Sequence, residues 1–133
     1  MALSLGELKG MTAGVKQKLN GMGLYDAEAF LAKVKTPKDR QEMAAALNVG
    51  DKTVLELANR ADLSRIVGVG EVYSDLLENA GVDTVKELAV RVPANLHTTL
   101  AEVAGKNNVR VPAMSFVENW VKQAKKLPKL LEY

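Results

Sequence analysis

IVGVGEVYSDLLENAGVDTVKELA, residues 66–89, carries two glycine turns around a short amphipathic run. Gly68-Val69-Gly70 opens it and Ala80-Gly81-Val82-Asp83 follows. Between them Tyr73, Leu76, Leu77 and Ala80 recur at i, i+3, i+4 and i+7, the spacing of one buried helix face. Glycine is needed where φ turns positive or where another segment comes close, so Gly68 and Gly70 both fit a turn between two helices. Such a turn also leaves the first amides of the second helix unpaired, and there the helix dipole favours an anion.

The same pattern occurs earlier in the chain. A shift of 58 positions lays LKGMTAGVKQKLNGMGLYDAEAFL on this stretch without a gap. Leu8 meets Ile66, Gly10 meets Gly68, Leu19 meets Leu77, Gly23 meets Gly81 and Phe30 meets Leu88. Downstream, Pro37 matches Pro93, and Val54-Leu57-Ala58-Ala61 matches Val117-Trp120-Val121-Ala124. Self-similarity of this kind predicts two copies of one unit. Residues 1–61 and 62–133 are the expected repeats, packed on one another because helices this short cannot bury a face alone. Nearly every segment reads as helix, and none alternates as a strand would. Asp26, Asp51, Asp62 and Asp83 stand where N-caps belong, and Thr36-Pro37 reads as a cap followed by a first-turn proline. Pro93 and Pro112 are expected to begin helices in the same way, and Pro128 to stop the last. The expected fold is all-α, one helical body.

Composition is that of an ordinary globular chain, 47% hydrophobic and 26% charged over 133 residues. There is no cysteine, which excludes disulfides and thiolate metal sites. The start, MALSLGELKGM, lacks a basic segment followed by an apolar run, and no apolar run nears the ~20 residues of a membrane span. A cytoplasmic protein without a membrane partner is expected. Net charge is only +2, but it is unevenly spread. Residues 63–105 hold 3 basic and 6 acidic side chains, and residues 106–133 hold 6 and 2.

Leu63-x-x-Ile66-x-Gly68-Val69-Gly70, followed by Tyr73, Leu76 and Leu77, resembles the helix-hairpin-helix motif, with Val67 where proline is usual. With Ala80-Gly81-Val82-Asp83-Thr84, Val92-Pro93-Ala94-Asn95-Leu96 and Val111-Pro112 included, nearly the whole chain resembles the domain-of-unknown-function family 4332. The resemblance to the hairpin motif implies nonspecific DNA binding, with turn amides and a nearby Lys or Arg holding backbone phosphates. Carried onto the second turn, the amides are those of Val69, Gly70 and Glu71. Glu71 and Asp75 share a face there and repel DNA. The first turn reads Gly10-Met11-Thr12, so Thr12 replaces the second glycine and can cap the helix. Lys9, Lys16 and Lys18 surround it.

The candidate nucleic-acid site is therefore Lys9, Gly10, Thr12, Lys16 and Lys18, with Gly68 and Gly70 as its weaker counterpart. Lys122, Lys125, Lys126 and Lys129 form a basic tail that is either a second contact or a solvated helix end. Trp120 and Phe116 read as core, and His97, the only histidine, as a partly exposed helix residue. No Walker loop, dinucleotide fingerprint, paired acid–base carboxylates or metal-ligand spacing is present. A non-enzyme without cofactor or metal is expected. Its partner is a DNA backbone or, alternatively, a protein or a second copy of the chain, with the glycine turns purely structural.

Overall fold

Thr12, Asp26, Thr36 and Thr84 each turn a side-chain oxygen onto the amide three residues on, and a helix begins after each. In the computed structural model, which describes residues 3–133, a 3-10 turn (Leu5–Glu7) precedes eight α-helices. They are α1 (Ala13–Gly21), α2 (Ala27–Ala32), α3 (Pro37–Leu47), α4 (Asp51–Leu63), α5 (Glu71–Asn79), α6 (Val85–Ala89), α7 (Pro93–Lys106) and α8 (Met114–Lys126). No strand occurs among the described residues; one isolated antiparallel bridge pairs Ser4 with Asp26. The first two residues of the expected first repeat lie outside the described residues.

Positions equated by the 58-residue shift share backbone geometry. Gly10 and Gly68 have φ of +96° and +98°, and Gly23 and Gly81 have +82° and +90°. These values are strained for any side chain with a Cβ, so glycine is required. The Met11 amide donates to the Leu8 carbonyl as the Val69 amide does to Ile66, and Leu24 donates to Leu19 as Val82 does to Leu77. Pro37 and Pro93 both occupy the first turn of a helix. Asn48 and Asn108, which follow α3 and α7, both sit at φ 56°.

Apolar side chains gather in two clusters. Leu5, Leu19, Phe30, Leu47, Val54 and Leu57 belong to the first; Ile66, Leu77, Leu88, Leu100, Val117 and Trp120 belong to the second. Burying an aliphatic side chain contributes about 1.5–3 kcal/mol, so these stripes hold helices that would not persist alone. The chain after α8 crosses back. Leu131 is buried in the first cluster, the Glu132 amide donates to the Lys35 carbonyl, and the Tyr133 hydroxyl donates to Asn59. Arg40, itself buried, donates to the carbonyls of Val34, Lys35 and Glu132 and lies 5.5 Å from the Tyr133 ring centroid.

Several local expectations change. Asp51 is the first residue of α4, whose N-cap is Gly50. Thr84, not Asp83, caps α6. Asp62 lies inside the last turn of α4 and caps no helix that follows it directly. Pro112 precedes α8 without starting it, since the N-cap is Ala113. Phe116 is 51% exposed: at 100° per residue it lies about 90° from the centre of the Val117–Ala124 stripe. Trp120 is core and stacks at a tilt on Tyr73, their centroids 5.1 Å apart. His97 is half-buried, its Nε2 3.1 Å from the Pro112 carbonyl oxygen.

Candidate nucleic-acid interface

Gly10 reverses the chain, and Thr12 caps α1 by accepting the Val15 amide on Oγ1 at 3.2 Å. The first amides of a helix have no acceptor within it. With Val15 satisfied, those of Ala13 and Gly14, both exposed, have no acceptor among the described residues and are left to solvent or a ligand. The first turn of α1 contains no acidic residue, so nothing there opposes the positive end of the dipole.

The three lysines of this turn have separate surroundings. Lys9 Nζ lies 2.9 Å from Asp75 Oδ2 on α5. Lys18 Nζ donates to the Leu47 carbonyl at 3.0 Å and so closes the last turn of α3. Lys16 is exposed, its Nζ near Gly6 in the 3-10 turn. Of the three, Lys16 alone has no polar partner among the described residues.

The second turn is built into the fold. A Cβ on Gly68 would stand 3.3 Å from Trp120 Nε1. Gln123 of α8 holds both backbone groups of Val67, accepting its amide at 2.8 Å and donating to its carbonyl at 3.0 Å. The Val69 amide is taken by Ile66. Gly70 is the N-cap of α5 at φ −102°, where any residue fits, and a Cβ there meets nothing within 4 Å among the described residues. Glu71 is exposed in the first turn of α5.

Asp75 joins the two turns. Its second oxygen accepts from Arg60 NH2 of α4 at 3.0 Å, and Arg60 Nε also pairs with Glu78. The Arg60 side chain is 10% exposed, and its NH1 is buried with no partner among the described residues. Burial alone would raise the Asp75 pKa, but hydrogen bonds from Lys9 and Arg60, with their charges, hold it below the usual carboxylate range. A cavity of about 250 Å³ runs beside this group, lined by Lys9, Glu71, Val72, Asp75, Asn107 and Val109. Arg60 and Gln123 gave no sign in the sequence, because each acts through a residue far away in the chain.

Lys122, Lys125 and Lys126 are exposed on α8, and Lys129 is exposed beyond it. α8 packs on α6 and α7, whereas the groups touched by Lys9, Lys16 and Lys18 lie on α5, on the 3-10 turn and on α3. The tail lysines and the first-turn lysines therefore sit on different elements. Among the described residues no group of three or more His, Cys, Asp or Glu could hold a metal, and no helix is long and apolar enough to cross a membrane.

The sequence model of the family described as "Domain of unknown function (DUF4332)" matches residues 9–127. No curated protein and no solved structure matches the chain.

Proposed function

We infer that this chain, which belongs to the DUF4332 family, is a binding module that holds a nucleic-acid backbone without reading its sequence. Contact is made at the Gly10 turn, by the Ala13 and Gly14 amides and by Lys16, with Lys9 in reserve. One observation carries this: among the described residues the N-terminus of α1 is capped only by Thr12, and it has no acid in its first turn and exposed Lys16 one turn in. Free amides and the dipole favour a phosphate oxygen, and lysine supplies the charge on which nonspecific affinity depends. The matching positive φ values at Gly10 and Gly68, and at Gly23 and Gly81, support two tandem helix-hairpin-helix repeats, residues 1–61 and 62–133. In this account the protein is not an enzyme and acts in the cytoplasm.

A second reading has its own observation. Gln123 and Trp120 take up the backbone and free space of the second turn, as a corner with no ligand requires. Were both turns structural, the chain would be a protein-interaction or self-assembly module.

Anisotropy of a labelled duplex of arbitrary sequence, titrated between about 50 and 200 mM salt, separates the two. The nucleic-acid account expects binding in the range of about 10⁻⁴–10⁻⁶ M that weakens steeply with salt and is lost in Lys16→Glu. Absence of binding at the lowest salt would end that account in favour of the protein-interaction module.

A further inference from the structure

We propose that Asp75 acts as a built-in stand-in for phosphate, occupying Lys9 and thereby setting how strongly the Gly10 turn holds a nucleic-acid backbone. This rests on the nucleic-acid account above. Lys9 belongs to the first turn, is 59% exposed at its side chain, and reaches a carboxylate 66 positions away. It has no second polar partner among the described residues.

The two ends of this contact are unequal. Asp75 keeps a partner without Lys9, because Arg60 holds its other oxygen and is itself anchored by Glu78. Arg60 is nine-tenths buried, so that half of the network stays with the core. Lys9 is on the solvent side, where an ion pair contributes about 0–1 kcal/mol. A phosphodiester offers Lys9 the same oxygen chemistry, and its binding also releases counterions. Without the Asp75 charge Lys9 is therefore free to meet a phosphate, while Arg60 keeps Glu78. While the pair is closed, Lys9 neutralises no phosphate, and the turn binds with one cation fewer than its sequence carries.

The salt dependence of duplex binding tests this with Asp75→Asn, Glu71→Gln, Lys9→Ala and Asp75→Asn/Lys9→Ala. Asp75→Asn should tighten binding at low salt by about fivefold and steepen the slope of log affinity against log salt by about 0.9, the value of one added phosphate contact. Lys9→Ala should change the wild-type slope little and cancel the gain in the Asp75→Asn background. Glu71→Gln removes a neighbouring exposed charge and should raise affinity without steepening the slope. An unchanged slope in Asp75→Asn, or an equal gain in slope from Glu71→Gln, overturns the proposal while leaving the nucleic-acid account standing. If neither wild type nor Asp75→Asn binds at low salt, both fall. A second measurement needs no substitution: amine acylation of the wild-type protein, read by mass spectrometry. Lys9 should label more slowly than Lys16 without DNA, and equal rates would overturn the closed pair.

Discussion

Asp62 and Val85 are 23 positions apart, yet Asp62 Oδ2 accepts the Val85 amide at 2.8 Å. A carboxylate near the end of α4 thus serves the first residue of α6. Its other oxygen accepts from Arg65 NH1 at 2.8 Å. Thr84 covers the Glu87 amide, so two residues from different places in the chain share the start of a five-residue helix.

Asp62→Ala should therefore cost about 2–3 kcal/mol, because it strands a buried amide and deprives Arg65 of its carboxylate. Urea unfolding should show the midpoint falling with little change in slope. A shift no larger than that of a surface substitution would count against the cap.

Gly68→Ala and Gly70→Ala should separate sharply. At Gly68 the positive φ and the indole 3.3 Å from a new Cβ both oppose a side chain; a loss of about 2 kcal/mol follows. At Gly70 the backbone is extended and the space open, so the change should stay within about 0.5 kcal/mol. Thermal unfolding of the pair decides it, and equal losses would mean that the turn is built otherwise.

Asp75 should make the fold acid-sensitive. Its carboxyl is held below the ordinary value of 3.8 in the folded chain. The unfolded state then takes up the proton first as pH falls. The stabilisation is complete above the unfolded value and is lost as pH drops through the lower folded value. The difference in stability between wild type and Asp75→Asn should shrink across that acid range and stay constant from about pH 5 upward.

Tyr133 should act at the alkaline end. Partial burial of its hydroxyl, with the nearby charges of Asp62 and Glu87, pushes the phenol up from 10.0 to about 12, against the opposing effects of Thr84 and Arg40. The folded chain keeps a proton that the unfolded chain has lost. Its stabilisation is whole below pH 10.0 and disappears as pH rises to about 12. Tyr133→Phe should remove that part of the alkaline decline, and absorbance titration of wild type should show one phenol ionising late.

Much of the helical frame could be read in advance. The 58-residue shift located four glycines with positive φ, and the caps Thr12, Asp26 and Thr36 follow from residue type and position. The same shift sets Thr84 opposite Asp26, a clue outweighed by the usual ranking of Asp as a cap. Phe116 failed because spacing four residues from Trp120 marks the rim of a stripe as readily as its centre. The candidate site was less readable. Periodicity reports which side chains are buried, but it does not say which charge lies opposite Lys9 or which carbonyl Lys18 reaches. Nor does it foresee that Gln123 occupies the backbone of Val67.

The segment after α8 also couples the two apolar clusters. α8 belongs to the second and Leu131 to the first, with Arg40 gripping the backbone between them and the Tyr133 ring. Melting either cluster would loosen this segment, which favours their unfolding together. Contacts joining Lys35 to Glu132 span most of the chain, so this link should close late in folding, after each cluster has formed from nearer neighbours. Arg40→Ala should therefore weaken this coupling and broaden the unfolding transition.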